Sequence, residues 1–154
     1  MNYNEIFSKA EEILSTNGTK GITEVCELLM NEIEYYNWVG FYFMNDETQI
    51  LEIGPYAGAE TEHTRIPYGK GICGQVAVSG ETFKVDDVYA QDNYIACSIE
   101  TKAELVVPMK RNGSVIGQID IDSHHATPFT DEDEVLLSQI CDLVAALDLS
   151  PFGH

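Results

Sequence analysis

The sequence predicts an α+β fold in which N- and C-terminal helices flank a central antiparallel sheet. Amphipathic helical segments open and close the chain, and the strand-forming segments between them occur in pairs joined by short turns. Hairpins connect neighbouring strands without crossover helices, so such pairs favour an antiparallel sheet. A chain of 154 residues that is 44% hydrophobic has the size and apolar content of one domain. We therefore expect a single domain over residues 1–154.

Two helices are predicted at the start of the chain. Residues 4–16 carry apolar side chains at helical spacing, and Asn17-Gly18 ends this segment. A second apolar stripe with the same spacing runs from residue 22 to residue 36. Charged side chains interrupt the first thirty residues throughout, which argues against a signal peptide or a membrane span. This pattern favours a cytoplasmic location.

The rest of the chain is predicted to form two hairpins, one separate strand and two further helices. Turn-forming residues separate the strands, and Thr130 with Asp133 makes an N-terminal capping pattern for the last helix. In chain order, the predicted elements are strands over 38–44 and 49–53, a helix over 71–79, a strand over 82–85, a polar loop over 86–96, strands over 104–110 and 114–122, and a helix with its apolar face over 135–147.

The charge balance argues against two classes of partner. The chain has 8 Lys and Arg against 26 Asp and Glu, which gives a formal net charge of −18. A surface this negative repels the phosphate backbones of nucleic acids and anionic lipid headgroups. We therefore expect neither a nucleic acid nor a membrane surface as a partner.

The register of the second hairpin decides which side chains share a face. If Asn112-Gly113 were the two central residues of a tight turn, Glu104 would face Ile121, and polar residues would oppose apolar ones throughout. A three-residue loop over 111–113 makes Glu104 face Asp120 instead and leaves one continuous apolar face. Because burial selects such a face, the three-residue loop is the predicted connection.

Three carboxylates share the other face in this register. Asp120 is predicted to lie directly across from Glu104, with Asp122 on the diagonal. Like charges opposed across a strand pair are destabilising, so the arrangement suggests a bound cation or shared protons. An ammonium pocket, a metal site or a general acid would each explain it. A solvated face of a very acidic protein is the alternative, and the pattern alone leaves both open.

The four cysteines are too far apart for a disulfide framework or a zinc CxxC site. Cys26 and Cys141 fall on apolar helix stripes and are predicted to be buried. Cys73 follows Lys70 at a helix start, where the helix dipole and a positive charge stabilise a thiolate. Cys97 follows the polar loop and is expected to be exposed. Any cysteine chemistry is therefore expected to be transient and catalytic, although the spacing does not show whether Cys73 and Cys97 meet.

Two aromatic residues are predicted to share one face of the first strand. Trp38 and Tyr42 occupy alternate positions with Gly40 between them, so both rings point to the same side. Such a pair can form the wall of a small-ligand pocket, although aromatic strand faces more often serve as core packing, which this signal alone favours.

Six motifs occur in order along the chain: WVGFY at 38–42, GP at 54–55, IPYGKGICG at 66–74, IAC at 95–97, ELVVP at 104–108 and GQIDIDS at 117–123. Together they resemble the free methionine-(R)-sulfoxide reductases, which are stand-alone GAF domains. The similarity runs from about residue 37 to residue 147, and the ordered set is far more specific than any one motif. The resemblance implies a GAF-like fold and a thiol-dependent reductase that needs neither a metal nor an organic cofactor.

The resemblance also implies roles for individual residues. Cys97 matches the cysteine that attacks the sulfoxide of free methionine sulfoxide. Aromatic residues at matching positions wall the pocket, and carboxylates at matching positions bind and polarise the substrate. The implied substrate-binding residues are Trp38, Tyr42, Glu104, Asp120 and Asp122.

The implied recycling of the enzyme uses a second thiol. Attack by Cys97 leaves a sulfenic acid, which Cys73 would convert to an internal disulfide that thioredoxin then reduces. The family commonly has a third cysteine where this chain has His63. The residues at 92–94, usually Pro-Gly-His, are Asp-Asn-Tyr here, and Ser98 replaces the usual Asp. With His63 in that position, Cys73 is the candidate resolving thiol.

Two other functions are compatible with the same residues. A non-catalytic GAF module would bind a small molecule and signal, but such a module has no need of both Cys73 and Cys97. A protein that binds calcium or magnesium through Glu104, Asp120 and Asp122 would be detected by calorimetry. The sequence leaves the oligomeric state open, including a homodimer.

Overall fold

A six-stranded antiparallel sheet forms the centre of the molecule. The structure, a computed structural model, describes residues 1–90 and 100–154. Its strands are β1 Trp38–Asn45, β2 Ile50–Ala57, β3 Arg65–Pro67, β4 Phe83–Val85, β5 Ala103–Arg111 and β6 Ser114–Ser123. The strand order across the sheet is β3-β2-β1-β6-β5-β4, and every pair is antiparallel. The predicted antiparallel α+β architecture is therefore confirmed.

Helices cover both faces of this sheet. The α-helices are α1 Tyr3–Asn17, α2 Ile22–Glu32, α3 Gly71–Ser79 and α4 Asp131–Ala145, and short 3-10 turns lie at Gly18–Gly21, Val88–Ala90 and Ser150–Phe152. Helices α1, α2 and α4 share one apolar core with the face of the sheet that carries Phe41 and Ile119. Helix α3 packs on the opposite face, in a smaller core with Trp38 and Tyr42. No helix in the described ranges is both long and apolar enough to cross a membrane.

Local sequence signals explain where the terminal helices begin and end. The side chain of Asn2 accepts a hydrogen bond from the Glu5 amide at 2.8 Å and so caps α1. Gly18, with φ of 58°, ends that helix in a conformation that favours glycine. The predicted capping box of α4 is present, because the Thr130 amide donates to Asp133 Oδ2 at 2.8 Å.

The structure extends one predicted strand and adds another. Strand β2 continues through Gly54-Pro55 to Ala57, where the sequence predicted its end at residue 53. Proline cannot donate to a ladder, and the pairing with β1 shifts register opposite Phe41 to accommodate it. Strand β3 was not predicted, because three residues are too few to show an alternating pattern.

The predicted loop of the second hairpin is wrong. Arg111 pairs with Ser114 across a two-residue Asn112-Gly113 turn, and both turn residues have positive φ, 53° and 81°. These angles suit a type I′ hairpin, for which Asn-Gly is the preferred sequence. The register then shifts by one residue between Met109 and Lys110, which an uninterrupted ladder does not allow for.

This shift also corrects the predicted pairing of the carboxylates. Glu104 faces Asp122, and Asp120 faces Val106 instead of Glu104. The error amounts to two residues, and side chains alternate with a period of two. The three carboxylates therefore still share one face of the sheet, as the sequence predicted.

Candidate active site

The three carboxylates lie in the interior of the molecule, on the face of the sheet that α3 covers. Glu104 is 3% exposed, and Asp120 and Asp122 are each 1% exposed. The alternative of a solvated acidic face is therefore wrong. Burying carboxylates side by side is unfavourable unless they share protons or bind a cation, so this cluster needs a chemical explanation.

Helix α3 brings Cys73 against this cluster. The thiol of Cys73 donates to Glu104 Oε2 at 3.7 Å, and single ligand atoms of Cys73, Glu104 and Asp120 all lie within 4.8 Å of one another. The close seating of α3 depends on Gly74, because a Cβ there would lie 2.7 Å from the carbonyl oxygen of Pro67. The helix starts at Gly71, as predicted, and Cys73 is buried in its first turn.

Gln118 anchors the same turn of α3, although its role was not predicted from the sequence. This side chain is fully buried, and its Nε2 donates to the carbonyl oxygen of Cys73 at 3.0 Å. Its Oε1 has no hydrogen-bond partner within the described part of the chain. The signal for its role was its position: Gln118 shares a face with Asp120 and Asp122, two and four residues further along β6.

Burial and mutual repulsion determine how the carboxylates hold protons. Burial, and then the charges of Asp120 and Asp122, raise the pKa of Glu104 well above its ordinary value. Burial also raises the pKa of Asp120, although contacts with Glu104, Cys73 and Asp122 oppose that effect. The raised pKa makes Glu104 a candidate proton donor in this cluster.

The aromatic pair lies beside the carboxylates. Trp38 pairs with Asp122 across β1 and β6, and its ring centroid lies 6.4 Å from that of Tyr42. The indole nitrogen donates to the carbonyl oxygen of Ala59 at 3.0 Å, which fixes the orientation of the ring. Gly40 leaves room for this ring, because a Cβ there would lie 2.3 Å from the Trp38 Cη2 atom. The predicted shared face of Trp38 and Tyr42 is confirmed.

Tyr42 positions the segment that carries His63. Its hydroxyl donates to the carbonyl oxygen of His63 at 2.8 Å. His63 is half-buried, and its positive charge when protonated would lower the pKa of Asp120. Together with Lys70 it lines a small cavity whose other described walls are Ile66, Gly71, Ile72, Cys73, Glu104 and Asp120.

The remaining cysteines are structural. Cys26 and Cys141 are buried on the opposite face of the sheet, and their thiols donate to the carbonyl oxygens of Pro55 and Val107, both at 3.8 Å. Burial raises the pKa of both thiols, which makes them poor nucleophiles. Their prediction as core residues is confirmed. Cys97, the predicted nucleophile, lies outside the described residues.

A larger cleft elsewhere on the molecule has neither a thiol nor a buried carboxylate among its described lining residues. It has a volume of about 660 Å³ and lies between the β1–β2 turn and residues 151–154. Its described lining includes exposed carboxylates but no cysteine and no buried acid. The smaller cavity beside Cys73 is therefore the candidate active site.

Comparison with known proteins agrees with this architecture. The model of the GAF domain family matches residues 19–147, which is most of the chain. The chain therefore belongs to the GAF domain family, and the predicted GAF-like fold is confirmed.

Relatives within the GAF domain family narrow the class further. The free methionine-R-sulfoxide reductase of Escherichia coli is 39% identical over 121 residues, which cover 79% of this chain and 70% of that protein. The structure of the Neisseria meningitidis free methionine-R-sulfoxide reductase in complex with its substrate matches with a TM-score of 0.86 and 31% identity, over 98% of this chain and 88% of that one. The reduced form of fRMsr of Staphylococcus aureus matches with a TM-score of 0.84 and 30% identity, over 94% and 93%. Among GAF proteins, this chain is a member of the free methionine-R-sulfoxide reductase family.

Proposed function

We propose that this chain reduces free methionine-(R)-sulfoxide to methionine. The relatives in Escherichia coli and Neisseria meningitidis carry the name of that activity. The observation that carries the proposal is the buried contact of Cys73 with Glu104 and Asp120, because it places a thiol and a proton-holding acid in one cavity. A reductase that works through thiols needs both groups.

The buried carboxylates support selection for the free amino acid. Free methionine sulfoxide carries an ammonium group that peptide-bound methionine lacks, and Asp120 and Asp122 are suited to bind it. A peptide would leave these buried charges unpaired, which is a strong basis for rejection. Trp38 and Tyr42 would pack against the methyl end of the substrate.

The reduction step follows from ordinary thiol chemistry. The Cys97 thiolate attacks the sulfoxide sulfur, while Glu104 donates a proton to the sulfoxide oxygen. The sulfur–oxygen bond of the substrate breaks, and the oxygen ends on Cys97 as a sulfenic acid. The sulfoxide is thereby reduced to the thioether of methionine, and the cysteine is oxidised by the same two electrons.

Cys73 would complete the cycle as the resolving thiol. Its sulfur attacks the sulfenic acid on Cys97, forms a disulfide and releases water. The dithiol of thioredoxin then reduces this disulfide and restores both thiols. A cytoplasmic location belongs to the proposal, because a reducing compartment keeps such thiols available.

A thioredoxin-coupled assay tests the activity directly. We expect turnover of the free (R)-sulfoxide, with little turnover of the (S)-sulfoxide or of N-acetylmethionine sulfoxide, which lacks the ammonium charge. Binding of free methionine sulfoxide without turnover would favour a non-catalytic GAF sensor instead.

Cysteine variants test the assignment of the two thiols. Cys97→Ser should abolish methionine formation in a single turnover, whereas Cys26→Ala, a matched change of a core thiol, should retain it. After one equivalent of substrate, mass spectrometry of alkylated tryptic peptides should find a Cys73–Cys97 linkage and the loss of two free thiols. Loss of one thiol, with normal thioredoxin-dependent turnover of Cys73→Ser, would show that Cys73 does not resolve the sulfenic acid.

A further inference from the structure

We propose that the cavity formed by Cys73, Glu104, Asp120 and His63 is a binding site for a thiophilic divalent cation of the zinc type. The sequence suggested a metal only through three carboxylates that would suit calcium or magnesium. The structure instead brings a sulfur ligand into the cluster, on a different element of the fold, and this changes the class of metal that the site would select.

The separation between Cys73 and Glu104 is close to that of two ligands in a tetrahedral zinc site. Zinc binds sulfur at about 2.3 Å and carboxylate oxygen at about 2.0 Å, so a tetrahedral angle separates the two ligand atoms by roughly 3.5 Å. The observed separation between Cys73 Sγ and Glu104 Oε2 is 3.7 Å. One Asp120 oxygen lies within 4.8 Å of both atoms, so it would supply the third ligand by moving closer to them.

The donor set favours zinc over the alkaline-earth cations. Calcium and magnesium take only oxygen ligands, and calcium takes six to eight of them. A thiolate, two carboxylates and an imidazole form a mixed sulfur, oxygen and nitrogen set, which suits zinc or cobalt. His63 lines the same cavity and is half-buried, so it would supply the fourth ligand.

Asp120 gives an independent indication of a missing cation. Its side chain is 1% exposed and lines the cavity, yet neither of its oxygens has a hydrogen-bond donor among the described residues. The groups it contacts there, Glu104, Cys73 and Asp122, are all acids that can offer only a shared proton. A divalent cation would neutralise the charges that these acids acquire when they lose their protons.

The proposal is tested with reduced, metal-free protein and cobalt chloride in place of zinc. We expect one equivalent of Co²⁺ to produce the visible bands of a tetrahedral site together with a thiolate-to-cobalt charge-transfer band, and zinc chloride to displace it. Cys73→Ser should lose the charge-transfer band. Asp120→Asn should weaken binding by more than about tenfold, the loss typical of removing even an outer-sphere partner.

The controls separate this site from adventitious surface binding. His124 Nδ1 lies 3.6 Å from Glu100 Oε2 at the exposed surface, so His124→Ala removes a histidine–carboxylate pair outside the cavity and should leave the titration unchanged. A charge-transfer band that survives Cys73→Ser, or that disappears only in Cys97→Ser, would overturn the assignment.

A consequence for activity rests on the proposed function. If substrate occupies the same cavity, zinc should raise the apparent KM for methionine sulfoxide and protect Cys73 from alkylation. The cobalt titration needs no substrate, so metal binding and reductase activity can fail independently. A protein that binds cobalt as described but does not turn over would contradict only the proposed function.

Discussion

Two buried carboxylate sites on opposite sides of the sheet contain the same chemical group in opposite environments. Asp133, in the first turn of α4, is fully buried and accepts hydrogen bonds from the hydroxyls of Tyr3, Tyr35 and Tyr36 at 2.7 to 2.9 Å. Asp120, on β6, is equally buried and has no such donor in the described part of the chain. The described residues satisfy the carboxylate at the first site, and they do not satisfy the one at the second.

The tyrosines around Asp133 make a structural site. They belong to α1 and to the segment between α2 and β1, so the carboxylate joins three parts of the helical layer. Burial raises the pKa of Tyr35 to about 12 and that of Tyr36 well above its ordinary value, and the charge of Asp133 adds to both effects. The hydroxyls therefore remain protonated donors at neutral pH.

The different surroundings of Asp133 and Asp120 indicate a role in stability for the first and a role in function for the second. A buried carboxylate whose oxygens are satisfied contributes to folding, because its removal leaves donors unpaired. A buried carboxylate without donors opposes folding, and it is maintained where a ligand or a proton transfer requires it. The same substitution should therefore have opposite consequences at Asp120 and Asp133.

The largest expected effect is the loss of activity in Asp120→Asn. This change removes a charge that we assign to the substrate ammonium, on a side chain that lies close to Glu104. We expect kcat/KM for free methionine sulfoxide to fall by more than the equivalent of about 3 kcal/mol, the upper range for one polar contact, if the carboxylates act together on the transition state.

Thermal unfolding is the control for this variant. The stability of Asp120→Asn should equal or exceed that of the wild type, because the change removes a buried charge that has no donor among residues 1–90 and 100–154. Activity at the wild-type level would mean that the carboxylate cluster takes no part in catalysis, and a large drop in stability would contradict the contrast with Asp133.

Asp133→Asn should give the reverse result. The amide offers one acceptor oxygen and no charge to three hydroxyls, so we expect a loss of about 1.5 to 3 kcal/mol in the free energy of unfolding, the range for hydrogen bonds to a charged group. Urea denaturation measures this loss. The kcat/KM of the folded fraction should stay within a factor of two of the wild type, and a selective loss of activity would refute the structural role.

The sequence predicted less of the tyrosine site around Asp133 than of the carboxylate cluster around Asp120. It predicted the Thr130–Asp133 capping box, because that interaction spans three residues, but not the tyrosine donors, which lie about a hundred residues away in the sequence. It predicted the shared face of the three carboxylates because strand periodicity fixes faces even when register is wrong. Their burial and the contact of Glu104 with Cys73 depend on the docking of α3, which no local pattern encodes.

The pH dependence of stability tests whether folded Glu104 keeps its proton, and the expected effect is smaller than those of the two aspartate variants. Glu104 keeps its proton in the folded state above its ordinary pKa of 4.5, whereas the unfolded chain releases it there. Its contribution to stability is therefore fully present below about pH 4.5 and is lost as the pH rises towards the folded-state pKa. Glu104→Gln removes this dependence.

Urea denaturation of wild type and Glu104→Gln across pH 4 to 8 measures the difference. We expect the stability of the variant relative to the wild type to increase as the pH rises. Glu52→Gln, whose side chain is 50% exposed, loses one charge without burial and should show no such divergence. Parallel curves for Glu104→Gln and the wild type would mean that Glu104 ionises in the folded state as it does in water.

The smallest expected effect concerns Gln118, which connects β6 to the turn that carries Cys73. Gln118→Leu removes one hydrogen bond, a loss of about 1 kcal/mol, but it also removes a buried oxygen without a partner, so the net change in stability should be small.

Gln118→Leu should affect the position of Cys73 more than it affects the stability of the fold. With the Cys73 carbonyl released from the sheet, we expect disulfide formation with oxidised Cys97 to slow severalfold in single-turnover experiments, while the KM for methionine sulfoxide stays unchanged. Gln75→Leu is the matched control, because the Nε2 atom of Gln75 donates to the carbonyl oxygen of Gly71 at 2.9 Å within α3 itself. If both variants slow the disulfide step equally, the effect belongs to helix stability, and Gln118 has no specific role in positioning the thiol.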